Sequence, residues 1–424
     1  MMGWCEVLLL GIIVCLCLSA NAGAPSSLKL VNLVYRHGDR SPTLTYPKNP
    51  NLVNETWPQG LGWLSTFGMQ EQYSLGRFLR RRYNGFLSDK YIHTEIQVQS
   101  SNVDRCLMSA YSNLAGLYPP SGDQVWNSNI PWQPIPVHTR PEEEDNELNM
   151  GEDCPWYDQL YNASLKSDRV KEEESQNKAF YEFITRVTGV SHESIADIWQ
   201  IAGFLTHSSV RSSTTSRGHP GSTQQYKKLR DLESWGFDLM FRGQEESRLK
   251  GGPLLSHWIN LTREKIKNQT TDIVKMNMFS AHDTTVAAIL SALRVYNKLS
   301  PPYTSTVFME LHQNTSGDFY IELYFRNTTS RDPNDDTAPH NLTIPGCDFK
   351  CPFTQFVSLT RDMVPTDWKK ECDIGGSAEL KFNLATIIAV SVASCVVLIL
   401  ILVILVMCCK RQRSSGGFGY KMTI

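Results

Sequence analysis

Residues 385–407 (ATIIAVSVASCVVLILILVILVM) form an uninterrupted run of 23 residues without a charge. At about 1.5 Å per helical residue the run reaches roughly 34 Å, enough to cross a hydrocarbon core of about 30 Å. A segment like this has to be satisfied by lipid, so it divides the chain into a body on one side of a bilayer and a short tail on the other. Lys410, Arg411 and Arg413 follow at once, which places the tail (408–424) in the cytosol by the positive-inside rule. At the other end, residues 7–18 are apolar but too short to span, and Ala20-Asn21-Ala22 follows as a signal-peptidase pattern. Residues 1–22 therefore read as a secretory leader. The expected topology is type I, with the lipid bilayer as one partner.

Composition agrees with a folded body in the secretory route. Of 424 residues, 41% are hydrophobic and 20% charged, with net charge −2, so neither a disordered chain nor a general basic field for nucleic acid is indicated. Asn-x-Ser/Thr sequons at Asn54, Asn162, Asn260, Asn268, Asn314, Asn327 and Asn341 are candidate glycosylation sites. Between leader and span the chain keeps Cys106, Cys154, Cys347, Cys351 and Cys372, an odd count. In an oxidising compartment that implies two bridges and one free thiol. Cys347 and Cys351 are close enough to close a small loop, and Cys154 with Cys372 would then tie the middle of the body to its end.

Strand and helix patterns alternate along this body. Residues 28–35 (LKLVNLVY), 96–98 and 276–279 read as short buried strands, and apolar spacing predicts helices over 69–83, from 107 onward and over 286–295. Residues 306–311 and 319–325 flank Asn314-Thr315-Ser316-Gly317, a hairpin signal. The expected class is α/β with a mainly parallel central sheet flanked by helices. Strand patterns fade over 141–253, which reads as a helical insert or cap. The α/β domain would then be built in two parts, 23–140 and 254–380.

The chemistry sits at strand ends, where open α/β sheets bind ligands. The first strand runs into Arg36-His37-Gly38-Asp39-Arg40-Ser41-Pro42, the second toward Arg105, and the third into His282-Asp283. Guanidinium forks match phosphate oxygens two at a time and stay charged at any working pH. An imidazole among them is held neutral and is a nucleophile; a carboxylic acid opposite can protonate the departing oxygen. Gathered together, these groups suffice for phosphoryl transfer with no metal and no cofactor. The R-H-G-x-R-x-P pattern should arise by chance on the order of once in ten thousand such chains, whereas His282-Asp283 or Arg105 alone carries little weight.

On these residues the chain resembles the histidine acid phosphatases, branch 2 of the histidine phosphatase superfamily, especially their lysosomal and prostatic members. Besides residues 36–42, Trp57-Pro58-Gln59-Gly60, Asp104-Arg105, Leu107-Met108-Ser109-Ala110, Gln133 to Thr139 and Ser280 to Thr285 match in order, over nearly the whole body. The resemblance implies a phosphoglycerate mutase-like fold and hydrolysis of small-molecule or peptide phosphate monoesters. His37 would be phosphorylated transiently, Arg36, Arg40, Arg105 and His282 would hold the phosphoryl oxygens, and Asp283 would be the general acid. It also implies a lysosomal membrane protein with a lumenal catalytic part, with the plasma membrane and a homodimer left open. Departures are Gln99 where the family usually has arginine, Cys106 where it has threonine, and residues 207–223, which are unlike the family's insert and lack its cysteine. A phytase-like phosphatase of the same branch and a catalytically silent membrane glycoprotein are the alternatives.

Overall fold

The computed structural model describes residues 24–49, 57–198, 201–202, 223–268 and 274–373. The leader, the apolar run 385–407, the tail, Asn54 and residues 207–222 lie outside the described residues. Among the described residues, no helix is long and apolar enough to cross a membrane.

Strands β1 (Leu28–Arg36), β2 (Ile96–Ser100), β3 (Met276–Ala281), β4 (Thr306–Gln313), β5 (Phe319–Arg326), β6 (His340–Leu342) and β7 (Cys351–Pro352) form one sheet. Its order is β2-β3-β1-β4-β5-β6, with β7 also pairing β5. β2, β3 and β1 run parallel, but β4, β5, β6 and β7 join antiparallel. The expectation of a mainly parallel sheet is thus corrected to a mixed one. The physical reason is the hairpin at Asn314–Gly317, which returns β5 directly beside β4, where a parallel partner would need a long crossover.

β1 is paired on both edges, by β3 and β4, and covered by helices on both faces, so its residues are mostly apolar. Period two still sorts them. Leu30 and Val34 join Leu254, Leu255, Trp258 and Ile289 on one side, from α6 (Gln244–Asn268) and α7 (Asp283–Ala292). Val31, Leu33 and Tyr35 join Leu75, Leu79 and Leu114 on the other, from α1 (Thr66–Arg82) and α2 (Asp104–Leu117).

The region 141–253 contains helices α3 (Pro155–Leu165), α4 (Asp168–Thr188) and α5 (Thr223–Met240). Val170, Tyr181, Ile184, Leu229 and Leu232 build a separate apolar cluster there. The boundary placed at residue 253 falls inside α6, which runs through Pro253 and packs on α7. Cys154 is bridged to Cys372 and Cys347 to Cys351, leaving Cys106 as a buried free thiol. Asn162, Asn260, Asn268, Asn314, Asn327 and Asn341 are all exposed.

Candidate active site

Register brings three strand ends to one level. Arg36 stands beside Ala281, and Ser100 beside Ser280, while the His37 N–H donates to the Ala281 carbonyl at 2.9 Å and the Ser101 N–H to Ser280 at 3.0 Å. Beyond this level each chain leaves the sheet, so His37, Ser101 and His282 open one crevice at the carboxyl ends of the parallel strands. Arg105 sits in the first turn of α2; His282 is the N-cap of α7, and Asp283 its first residue.

The loop after β1 is pressed onto the start of α1, where the Ser65 hydroxyl caps the helix by accepting from the Gly68 N–H. A Cβ on Gly38 would stand 2.3 Å from the Gly68 carbonyl oxygen, and one on Gly68 would stand 2.1 Å from that of Asp39. Glycine is needed at both for backbone to meet backbone. The Asp39 N–H donates to Glu71 at 2.8 Å, the Gln72 amide to the Arg36 carbonyl at 2.8 Å, and the Gly38 N–H to the Ser109 hydroxyl at 3.2 Å. Burial pushes the Glu71 carboxyl up to about 7.

Within the crevice, His37 Nδ1 lies 2.8 Å from the Gly38 carbonyl oxygen. A carbonyl only accepts, so Nδ1 carries the proton and Nε2 keeps its lone pair. Burial, then Arg105, Arg36, Arg40 and His282, hold the His37 pKa well below the usual imidazole range. The rings of His37 and His282 lie 5.9 Å apart. Arg105 Nη2 donates to His282 Nδ1 at 3.2 Å, which places the His282 proton on Nε2, donating to the Ser101 hydroxyl at 3.0 Å. Burial first and Arg105 second push His282 down to about 3.

Arg36 Nη2 pairs with Asp283 at 2.7 Å and its Nη1 donates to the Pro301 carbonyl at 2.6 Å. Burial would raise the Asp283 carboxyl, but Arg36, Arg40 and His282 outweigh it and hold the group below its ordinary value. Burial and the neighbouring Arg105 bring Arg40 down to about 10. The Nε of each of Arg36, Arg40 and Arg105 is buried without a hydrogen-bond partner. The guanidiniums of Arg36, Arg40 and Arg105 all act on His37, and three cations around one neutral imidazole make a socket suited to a phosphate-sized anion.

The structure therefore gathers all six residues chosen from sequence. It adds Ser101, Pro301 and Tyr303, which no motif marked; Tyr303 lies with its ring 4.2 Å from the Arg36 guanidinium carbon. Cys106 Sγ donates to the Ala281 carbonyl at 3.4 Å and lies 3.7 Å from both His282 nitrogens. Among the described residues, Glu310, His312 and Glu322 are the one grouping with metal-ligand chemistry. Arg82 and Tyr83 bind Glu310 at 2.8 and 2.7 Å, Ser27 meets His312 at 3.0 Å, and Tyr324 donates to Glu322, so the cluster is a satisfied structural network.

Residues 27–326 match the family model described as "Histidine phosphatase superfamily (branch 2)". The chain belongs to that family. Among curated relatives of this branch-2 histidine phosphatase, lysosomal acid phosphatase from Homo sapiens is 40% identical over 374 residues, covering 86% of this chain and 85% of the relative. Prostatic acid phosphatase from Rattus norvegicus is 38% identical over 368 residues, covering 86% and 94%. A solved structure of Hafnia alvei phytase in complex with tartrate superposes with a TM-score of 0.62 at 18% identity, covering 82% of this chain and 99% of that one. At that identity the likeness concerns the fold.

Proposed function

We propose that this branch-2 histidine phosphatase is an acid phosphatase that hydrolyses phosphate monoesters through a phosphohistidine, with Arg36, Arg40, Arg105 and His282 as phosphate ligands. The observation that carries this is His37. Its Nδ1–H is committed to the Gly38 carbonyl, so a lone pair on Nε2 remains beside three arginines with unpaired buried donors.

Nε2 attacks phosphorus, the ester P–O bond breaks, and Asp283 gives its proton to the departing oxygen. Water then attacks phosphorus and returns a proton to Asp283; the N–P bond breaks, freeing neutral His37 and inorganic phosphate. With its pKa lowered, His37 stays a nucleophile in acid. Asp283 poses the opposite problem, because its pairing with Arg36 favours the ionised form. A bound phosphate dianion competes for Arg36 and adds negative charge nearby, and both raise the proton affinity of Asp283. An acidic medium supplies the rest. The compartment fits: relatives at about two-fifths identity are named lysosomal acid phosphatases, and a leader, exposed sequons, two disulfides and a C-terminal apolar run suit a lumenal body on a membrane anchor.

The test uses the full chain in detergent. His37→Ala should abolish p-nitrophenyl phosphate hydrolysis at about pH 5 and eliminate an acid-labile phosphoenzyme trapped from radiolabelled substrate. Asp283→Asn should slow alkyl phosphates about a hundredfold or more and p-nitrophenyl phosphate far less, since only poor leaving groups need the proton. Activity of the His37 variant at the wild-type level ends this mechanism.

A further inference from the structure

Arg36 is enclosed by a six-residue strap, 300–305, that enters β4. The Arg36 N–H donates to the Ser305 carbonyl at 3.0 Å, and its Nη1 to Pro301 at 2.6 Å. The Tyr303 ring lies 4.2 Å from the guanidinium carbon and 5.8 Å from the His37 ring centroid. Next in the chain, Thr304 holds φ at +58°, a left-handed conformation costly for a β-branched residue, and it is fully buried. Its N–H donates to the His37 carbonyl at 3.4 Å and its hydroxyl to the Tyr303 carbonyl at 2.6 Å, while the Thr329 hydroxyl donates to that same carbonyl at 2.7 Å. The strap is also tied to the insert, since the Ser300 N–H donates to the Ser234 hydroxyl on α5 at 3.4 Å.

We propose that Tyr303 is a positioning residue for phosphate binding: its ring face fixes the plane of the Arg36 guanidinium beside His37, independently of its hydroxyl. This rests on Arg36 being a phosphate ligand. The chemical reason lies in the proton cycle. Asp283 pulls on Arg36 only while ionised, and the reaction requires Asp283 to be protonated. At that moment the bound phosphate pulls on Arg36, and the Pro301 carbonyl and the Tyr303 ring are the protein contacts that hold its plane, neither of which titrates with Asp283. A desolvated cation over an aromatic face is held strongly enough for the purpose, and the ring of phenylalanine offers nearly the same face.

Inhibition by orthovanadate, with KM and kcat for p-nitrophenyl phosphate, tests this in the full chain. Tyr303→Leu should weaken vanadate and raise KM about tenfold with a smaller change in kcat, and Tyr303→Phe should restore most of the affinity. Should Tyr303→Leu fail to fold by circular dichroism, phenylalanines of increasing fluorination at position 303 keep the shape and weaken the ring face. Vanadate affinity falling step by step supports the proposal, and a flat series overturns it. Arg36→Ala is the reference. If it loses vanadate while Tyr303→Leu stays within about twofold of wild type, Tyr303 has no such role. If Arg36→Ala itself binds vanadate normally, the error lies in the phosphate-ligand assignment on which this proposal stands.

Discussion

Replacing His282 by glutamine should remove part of the stability that acid takes from this protein. His282 is 8% exposed and its pKa is pushed to about 3, by burial first and then by Arg105, with Arg40 and Arg36 adding and Asp283 opposing. In the unfolded chain an imidazole titrates near its ordinary value of about 6.5. Between those two values the unfolded state binds more protons than the folded one, so stability falls as pH falls. From about pH 7 to about pH 5 a single histidine of this kind costs about 2 kcal/mol. Glutamine keeps a polar side chain of similar reach without titrating. Urea unfolding of wild type and His282→Gln, followed by tryptophan fluorescence at both pH values, gives each protein's acid-induced loss. The variant's loss should be smaller by about 2 kcal/mol, whatever its absolute stability. His37, whose pKa is lowered in the same way, is present in both proteins and cancels in the difference. Glu71 and Asp145 also cancel. Burial raises these carboxyls to about 7 and about 6, so acid stabilises the fold through them and partly offsets the two histidines. Equal acid losses in wild type and variant would refute the claim that His282 is buried in its neutral form.

Two further outcomes follow from packing. Gly68→Ala would place a Cβ 2.1 Å from the Asp39 carbonyl oxygen, so the loop bearing His37 must lift off α1; a stability loss of about 3 kcal/mol in urea unfolding and a sharp fall in activity are expected. Burial pushes the Cys106 thiol up to about 12, so Ellman's reagent at about pH 8 should leave it unlabelled in the native chain and label it only after unfolding.

The site was unusually legible because its chemistry is concentrated in short runs. Arg36, His37 and Arg40 fall within one loop, so residue type and local pattern were enough to select them, whereas His282-Asp283, at a strand-to-helix junction, gained weight only beside that motif. Arg105 was singled out by its place after the second strand and gained weight only through resemblance; tertiary structure sets its guanidinium 3.2 Å from His282. Tyr303 left no signal, since a tyrosine after two prolines in a connection looks like any turn residue. Its importance exists only because β4 pairs antiparallel to β1 and carries the preceding strap over Arg36. The direction of β4 against β1 was the misjudged element, whereas the antiparallel hairpin of β4 and β5 was legible at Asn314 to Gly317. Hydrophobic runs identify buried strands, but they do not record which direction a neighbour runs.

What the sequence determined by itself was therefore the inventory: an apolar run long enough for a bilayer, buried strands ending in cations, and an imidazole among them. These depend on residue identity and on spacing along the chain, which folding does not alter. Protonation and posture were decided only in three dimensions. The neutrality of His37 comes from burial beside Arg105, Arg36 and Arg40, the ionised state of Asp283 from its pairing with Arg36, and the lone pair on Nε2 from the Gly38 carbonyl. Electric fields and hydrogen bonds depend on distance in space, and two of these groups, Arg105 and Asp283, reach the loop of Arg36 to Arg40 only because the chain folds back on it.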